Sequence, residues 1–257
     1  MARPKKEATS TELAPLQAAG MPAEFLAAMQ ARIDRAKATQ ARLPTGGGAK
    51  SLSFRGGTMA LGGEVIGNRM EAVILSSQFE RGYWTSAYDG DSRSPPSCYS
   101  FDGDSPHPEA HDKQATSCED CPHAKFGSAD NGKGKACKEV VRLALLAPDA
   151  LKSDLASADV FSARVSTMNV KTFDDYVTVL TNKKMAPEAV VTEVTCLPDP
   201  KKMYSLGFKA LRGVETKDGS GYVALLARAD KMISTPYPAP REEDKAKPTL
   251  RRSRMGR

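Results

Sequence analysis

Apolar and polar positions alternate along EAVILSSQFERGYWTSAYD, residues 71–89, a stretch rich in β-branched and aromatic side chains. That alternation predicts a strand with one face buried. VVRLALLA (Val140–Ala147) is apolar almost throughout and predicts a buried strand that Pro148 ends. PDALKSDLASAD, directly after it, reads as a short helix with Asp149 in its first turn, and VFSARVS (Val160–Ser166) alternates again. In MNVKTFDDYVTVLTNK the period changes: Phe173, Tyr176, Val177 and Leu180 recur at i, i+3, i+4 and i+7, which predicts a helix with one apolar face. AVVTEVTCL (Ala189–Leu197) and KMYSLGFKAL (Lys202–Leu211) predict two further strands, and GYVALLARADKMI (Gly221–Ile233) fits either a strand or a helix.

Upstream, Phe25, Leu26, Met29 and Ile33 recur at helical spacing between Pro22 and Leu43, and Pro44 with the TGGG run stops that helix. Residues 46–63 hold seven glycines with Leu52, Phe54, Met59 and Leu61 between them, the pattern of a loose strand with turns. The sum is an α+β chain, mostly antiparallel β. It is compatible with a five-stranded OB-like barrel that carries a cysteine-bearing insertion and an N-terminal helix. The expected organisation is a leader and amphipathic helix over 1–45, the OB-like domain over 46–235 with its insertion at about 91–138, and a disordered basic tail over 236–257. No internal repeat is visible.

Four of the five cysteines determine the chemistry. Cys98, Cys118, Cys121 and Cys137 fall in a segment full of Pro, Gly, Ser and Asp, spaced C-x19-C-x2-C-x15-C. The CxxC turn lets two thiolates converge on one tetrahedral ion, and Cys98 and Cys137 bracket it and can fold back to it. A segment so poor in apolar residues builds no core of its own, and a metal clip is a natural way to order it. Gly127, Gly132 and Gly134 permit the tight turns of such a knuckle. Disulfides, a redox CxxC and a catalytic zinc are alternatives. His107, His111 and His123 lie in the same region, so a histidine could replace a cysteine. No secretion signal, βαβ context, HxE…PCxxC or HExxH pattern favours those alternatives, and one structural zinc on four cysteines is the simplest account. Cys196, among apolar neighbours in a predicted strand, reads as a core residue.

Charge changes the picture only at one end. The net charge is +6, and residues 245–257 carry six cations and no acid, so the remainder balances. The tail suits phosphates, an acidic partner or plain solvation. No apolar run is long enough to span a membrane and the basic start has no apolar stretch after it, which points to the cytoplasm. No carboxylate cluster with metal spacing, Ser-His-Asp set or triphosphate loop is present, so neither an enzyme nor a small-molecule substrate is expected. Phe79, Tyr83, Trp84, Tyr88, Tyr99 and Phe101 cluster ahead of the CxxC, with Arg81 and Arg93 interleaved. Aromatics beside cations make a stacking platform for unpaired bases. Tyr83, Trp84, Tyr88 and Tyr99 are the stacking candidates. Arg81, Arg93, Lys125, Lys133 and Lys135 are the candidates for phosphate.

PPSCYSFDGDSP, SCEDCPHAKFGS and GKGKACKEVVRLALL, with FDDYVTVL and VVTEVT downstream, resemble phage single-stranded DNA-binding replication proteins that carry a four-cysteine knuckle inside a β domain. The resemblance covers roughly residues 50–235. It implies an OB-like fold, zinc, single-stranded DNA and replication proteins as partners, in phage DNA replication or recombination and in the host cytoplasm. One departure is the basic C-terminus, where many single-strand binders end in acidic residues. A zinc-stabilised interaction protein that binds a replication or transcription enzyme, or a nucleoprotein assembly, is the alternative expectation.

Overall fold

The computed structural model describes residues 50–85 and 95–239, together with Arg32. The chain divides into two units, Met1–Gly48 and Ala49–Arg257. Tyr88, Arg93, residues 240–257 of the expected tail and all of the predicted N-terminal helix except Arg32 lie outside the described residues. The expected tail's first residues do not, and Tyr237 packs on Tyr99 and donates to Glu80.

The larger unit is a mixed α+β structure built on one nine-stranded sheet. Its strands are β1 (Ser51–Arg55), β2 (Thr58–Leu61), β3 (Glu64–Gly67), β4 (Arg69–Tyr83), β5 (Cys98–Ser100), β6 (Lys138–Leu146), β7 (Val160–Val165), β8 (Val190–Asp199) and β9 (Met203–Gly213). Among the described residues of this unit the two α-helices are α1 (Val170–Asn182) and α2 (Gly219–Ser234). The strand order is β3-β2-β1-β7-β6-β4-β8-β9, with β5 paired to the end of β4. All pairings are antiparallel except β1 with β7, which is parallel and brief, from Ser51 opposite Ser162 to Leu52 opposite Ala163.

Alternation along the strands feeds two cores. Ala72 and Ile74 of β4 with Leu143 and Leu145 of β6 face one side, and Phe173, Tyr176 and Leu180 of α1 pack there. Val73 and Leu75 with Ala144 and Leu146 face the other side, under Leu225, Ala229 and Ile233 of α2. A helix thus seals each face, which is why both parities of β4 and β6 are apolar where they cross the centre. The sheet curls into a half-barrel around α1. Leu52 and Met59 from one end share the inner core with Cys196 and Leu206 from the other. At the β1–β2 turn, a Cβ on Gly57 would stand 2.4 Å from Pro198 Cδ, so only glycine admits this approach.

Local signals explain the helix ends. Asp218 caps α2 by accepting the Gly221 N–H at 2.8 Å. α1 ends in a left-handed residue, Lys184 at φ 56°, and the Met185 N–H closes on the Leu180 carbonyl at 3.0 Å. Asn169, fully buried before α1, accepts the Leu206 N–H at 3.0 Å and ties the helix to β9. The stretch predicted as a short helix after Pro148 is a 3-10 turn, Pro148–Lys152, while 46–63, predicted as a loose strand with turns, contains β1 and β2, with β3 following it. Among the described residues, no helix is long and apolar enough to cross a membrane.

Candidate functional site

β4 runs beyond the two cores, and its far end carries the cysteine segment. Cys98 opens β5 opposite Tyr83. Cys118 and Cys121 are buried in the turn before a 3-10 helix, Pro122–Ala124. Cys137 immediately precedes β6. The backbone fixes this fold-back: the Cys118 N–H donates to the Asp104 carbonyl at 2.8 Å, and the Cys137 N–H donates to the His123 carbonyl at 2.9 Å. Gly127, Gly132 and Gly134 all adopt positive φ, as a knuckle of this composition requires. Asp102 anchors the turn after β5 by accepting from the Ser100 hydroxyl and from the N–H groups of Asp104 and Ser105, and these bonds hold its carboxyl well below the usual range.

All four thiols line one cavity of about 20 Å³, with Arg81 and Tyr83 among its walls. A space that small holds about one water-sized body. Burial pushes the Cys98 thiol up, and it pushes Cys137 up to about 12, with added repulsion from the neighbouring cysteines. Yet among the described residues no group of three or more His, Cys, Asp or Glu side chains is closed into ligand geometry. The two observations are compatible: neutral thiols have no attraction that draws them onto a common centre, and a dication supplies one by deprotonating them. The donor set and the size of the cavity fit one tetrahedral zinc ion. His107 and His123 are engaged elsewhere. His107 stacks on Tyr99 with centroids 4.9 Å apart, and His123 on Tyr83 at 4.0 Å.

The predicted DNA contacts separate on inspection. Tyr99 is 2% exposed, packed among Phe101, His107 and Tyr237, so it offers no face to a base. Tyr83 is half-buried, with one ring face on His123. Trp84 lies just past β4, not in it, and its ring folds back over Gly82, where a Cβ would be 2.9 Å away. Arg81 pairs with Glu139 at 3.4 Å, and Lys135 pairs with the same carboxylate at 2.8 Å. Lys125 donates to the Glu119 carbonyl at 3.0 Å. Lys133 is exposed, and among the described residues its ammonium meets no acceptor. Between these lysines stands a residue that the sequence reading passed over: Phe126 is 82% exposed at the knuckle. Its signal was present in the run Lys125-Phe126-Gly127, an aromatic with no apolar neighbour to pack on.

A second cluster was invisible in the sequence. Glu80 on β4 is fully buried, and Arg164 Nη2 donates to both its oxygens, at 2.9 and 3.2 Å. The Tyr237 hydroxyl donates at 2.7 Å, and Arg142 Nε stands 3.5 Å away. Burial pushes the Glu80 carboxyl up, opposed by the two guanidiniums. Arg142 also lies over the rings of Phe101 and Tyr237, at 5.1 and 5.5 Å.

No protein family, curated protein or solved structure matches the chain.

Proposed function

We propose that this protein binds single-stranded DNA with a surface beside a four-cysteine zinc knuckle, and that it serves phage DNA replication or recombination. The observation that carries the reading is the convergence of Cys98, Cys118, Cys121 and Cys137 on one ion-sized cavity, directly behind a loop that presents Phe126 beside Lys125 and Lys133. In this reading the four cysteines hold zinc, which orders the loop. Phe126 stacks on an unpaired base, Tyr83 and Trp84 extend the platform, and the free lysine contacts phosphate. Tyr99 takes no part in stacking, and Arg81 and Lys135 act mainly through Glu139. The curl of the sheet supports kinship with OB-type barrels, although nine strands and open edges set it apart from a closed five-stranded barrel.

The test is a titration of the full chain with oligo(dT) and with duplex of equal length at two salt concentrations. Oligo(dT) is expected to bind more tightly, with affinity falling as salt rises. Phe126→Ala is expected to weaken binding roughly five- to a hundredfold, the range for losing one stacked base, with the unfolding transition unchanged because the side chain is exposed. Absence of oligo(dT) binding at low salt sinks the reading and leaves the zinc-stabilised interaction protein.

A further inference from the structure

Strand register places Arg81 one step behind the cysteines. Tyr83 lies opposite Cys98 of β5, and Arg81, two residues back on β4, lies opposite Ser100 of β5 and Glu139 of β6. Alternate residues of a strand share a face, so Arg81 and Cys98 face the same way. Cys137 stands two residues before Glu139, at the entrance to β6. Diagonal neighbours in a sheet, about 7–8 Å apart, are within reach of a long side chain. The cavity agrees with this placement: Arg81 lines it together with all four thiols, and among the described residues no other acidic or basic side chain does.

Its surroundings suit a buried counter-charge rather than a contact to DNA. The Arg81 side chain is only 22% exposed, and its Nη2 meets Glu139 at 3.4 Å. The guanidinium carbon stands 5.8 Å from the Phe79 ring centre, and Nε is buried with no hydrogen-bond partner among the described residues. Lys135 shares the Glu139 carboxylate at 2.8 Å, so two cations divide one anion and a positive charge is left over beside the cavity. Burial and the other cysteines oppose a thiolate at Cys137, whereas the Arg81 charge favours one. Four thiolates around one zinc ion sum to a net charge of about −2. A site this enclosed screens that excess poorly, so a neighbouring cation is strongly felt.

We propose that Arg81 is a positioning residue of the metal centre: its cation, held by Glu139, offsets the excess charge of the four thiolates and raises the affinity for zinc. The inference rests on the four-cysteine zinc reading and extends it, moving Arg81 from the DNA surface to the support of the metal. Outer partners of this kind contribute about 10–100-fold in metal affinity.

Competition between the full chain and a chromophoric chelator for zinc, with absorption spectra of the cobalt(II)-loaded chain, tests this. Wild type is expected to bind one ion and, with cobalt, to show the bands of a tetrahedral thiolate site. Arg81→Met is expected to bind zinc about 10–100-fold more weakly, with the cobalt bands kept at saturation because all four ligands remain. Arg81→Lys retains the cation and is expected to recover most of the loss. Lys135→Met removes the other partner of Glu139, outside the cavity, and is expected to stay within roughly twofold of wild type. Should Arg81→Met fail to fold, Arg81→Gln against Arg81→Lys makes the same comparison, since Gln keeps a donor without the charge. Wild type that takes up neither metal sinks the zinc reading and this role with it. Where wild type does bind, three results each overturn the role of Arg81 alone: Arg81→Met as tight as wild type, Arg81→Lys as weak as Arg81→Met, or Lys135→Met as weak as Arg81→Met.

Discussion

Glu80 illustrates how much one buried charge depends on its partners. Its carboxylate has no solvent exposure and is held by Arg164, Arg142 and Tyr237. Glu80→Gln leaves two guanidiniums facing each other across β6 and β7 without their counter-ion. Breaking a buried pair in this way costs about 3–5 kcal/mol, so the denaturation midpoint is expected to fall sharply. A shift no larger than that of an exposed control such as Glu109→Gln refutes the assignment. The cluster could not be read in the sequence, because Arg164 lies 84 positions from Glu80 and Tyr237 lies 157. Nothing local marks them as partners. By contrast Cys196 was legible as a core residue from its apolar neighbours alone, and it is fully buried. Phe126 is the opposite case: where aromatics are dense they pack on one another, as Tyr99 does on Phe101, whereas Phe126 is exposed because nothing among the described residues stands near it to pack on.

At the scale of elements, periodicity located β6, β7, β8, β9 and α1 closely, since each has a face that must be buried, whereas the alternation read from residue 71 to 89 overran β4, which stops at Tyr83. The segment from Gly221 was ambiguous because its apolar run suits either period. Asp218 resolves it, by capping a helix whose stripe is Leu225, Ala229 and Ile233. That helix also brings Tyr222 onto β4's outer face, where its hydroxyl donates to the Glu188 carbonyl at 2.6 Å. Burial, with the nearby Glu188 charge, pushes the phenol up to about 12. A folded value above the ordinary one of about 10 means that the unfolded chain releases this proton first. The contribution is therefore intact below pH ~10 and is lost as pH climbs toward 12. Unfolding curves of the wild type are expected to lose stability across that window more steeply than those of Tyr222→Phe; parallel curves refute the linkage.

For the molecule as a whole, the sequence conveyed the class but not the order of strands. Which strands become neighbours depends on contacts between distant segments, and no local pattern encodes the parallel meeting of β1 and β7. Nor does the knuckle share in either core, since Cys98, Cys118, Cys121 and Cys137 belong to neither apolar cluster. Metal and sheet should therefore separate. Protein prepared without chelator is expected to hold one zinc per chain. Strong chelation is expected to abolish amide protection across 98–137 while β6, β7 and β8 stay protected. Absence of zinc, or protection that survives its removal, refutes the knuckle reading.

The strand order also bears on how the chain is made. β4 is central in the finished sheet, but β6, its neighbour on one side, begins only at Lys138, and β8, its neighbour on the other, only at Val190. β1 waits for β7 at Val160. On a ribosome, β4 emerges with Ala72, Val73, Ile74 and Leu75 in a row and both edges bare until the cysteine segment and more have followed. Such a strand is the hazardous stage of synthesis, open to pairing with another nascent copy. Ordering the knuckle early shortens that exposure, because it closes the long excursion between β4 and β6 into a short bridge and brings the two strands side by side as soon as Cys137 is out.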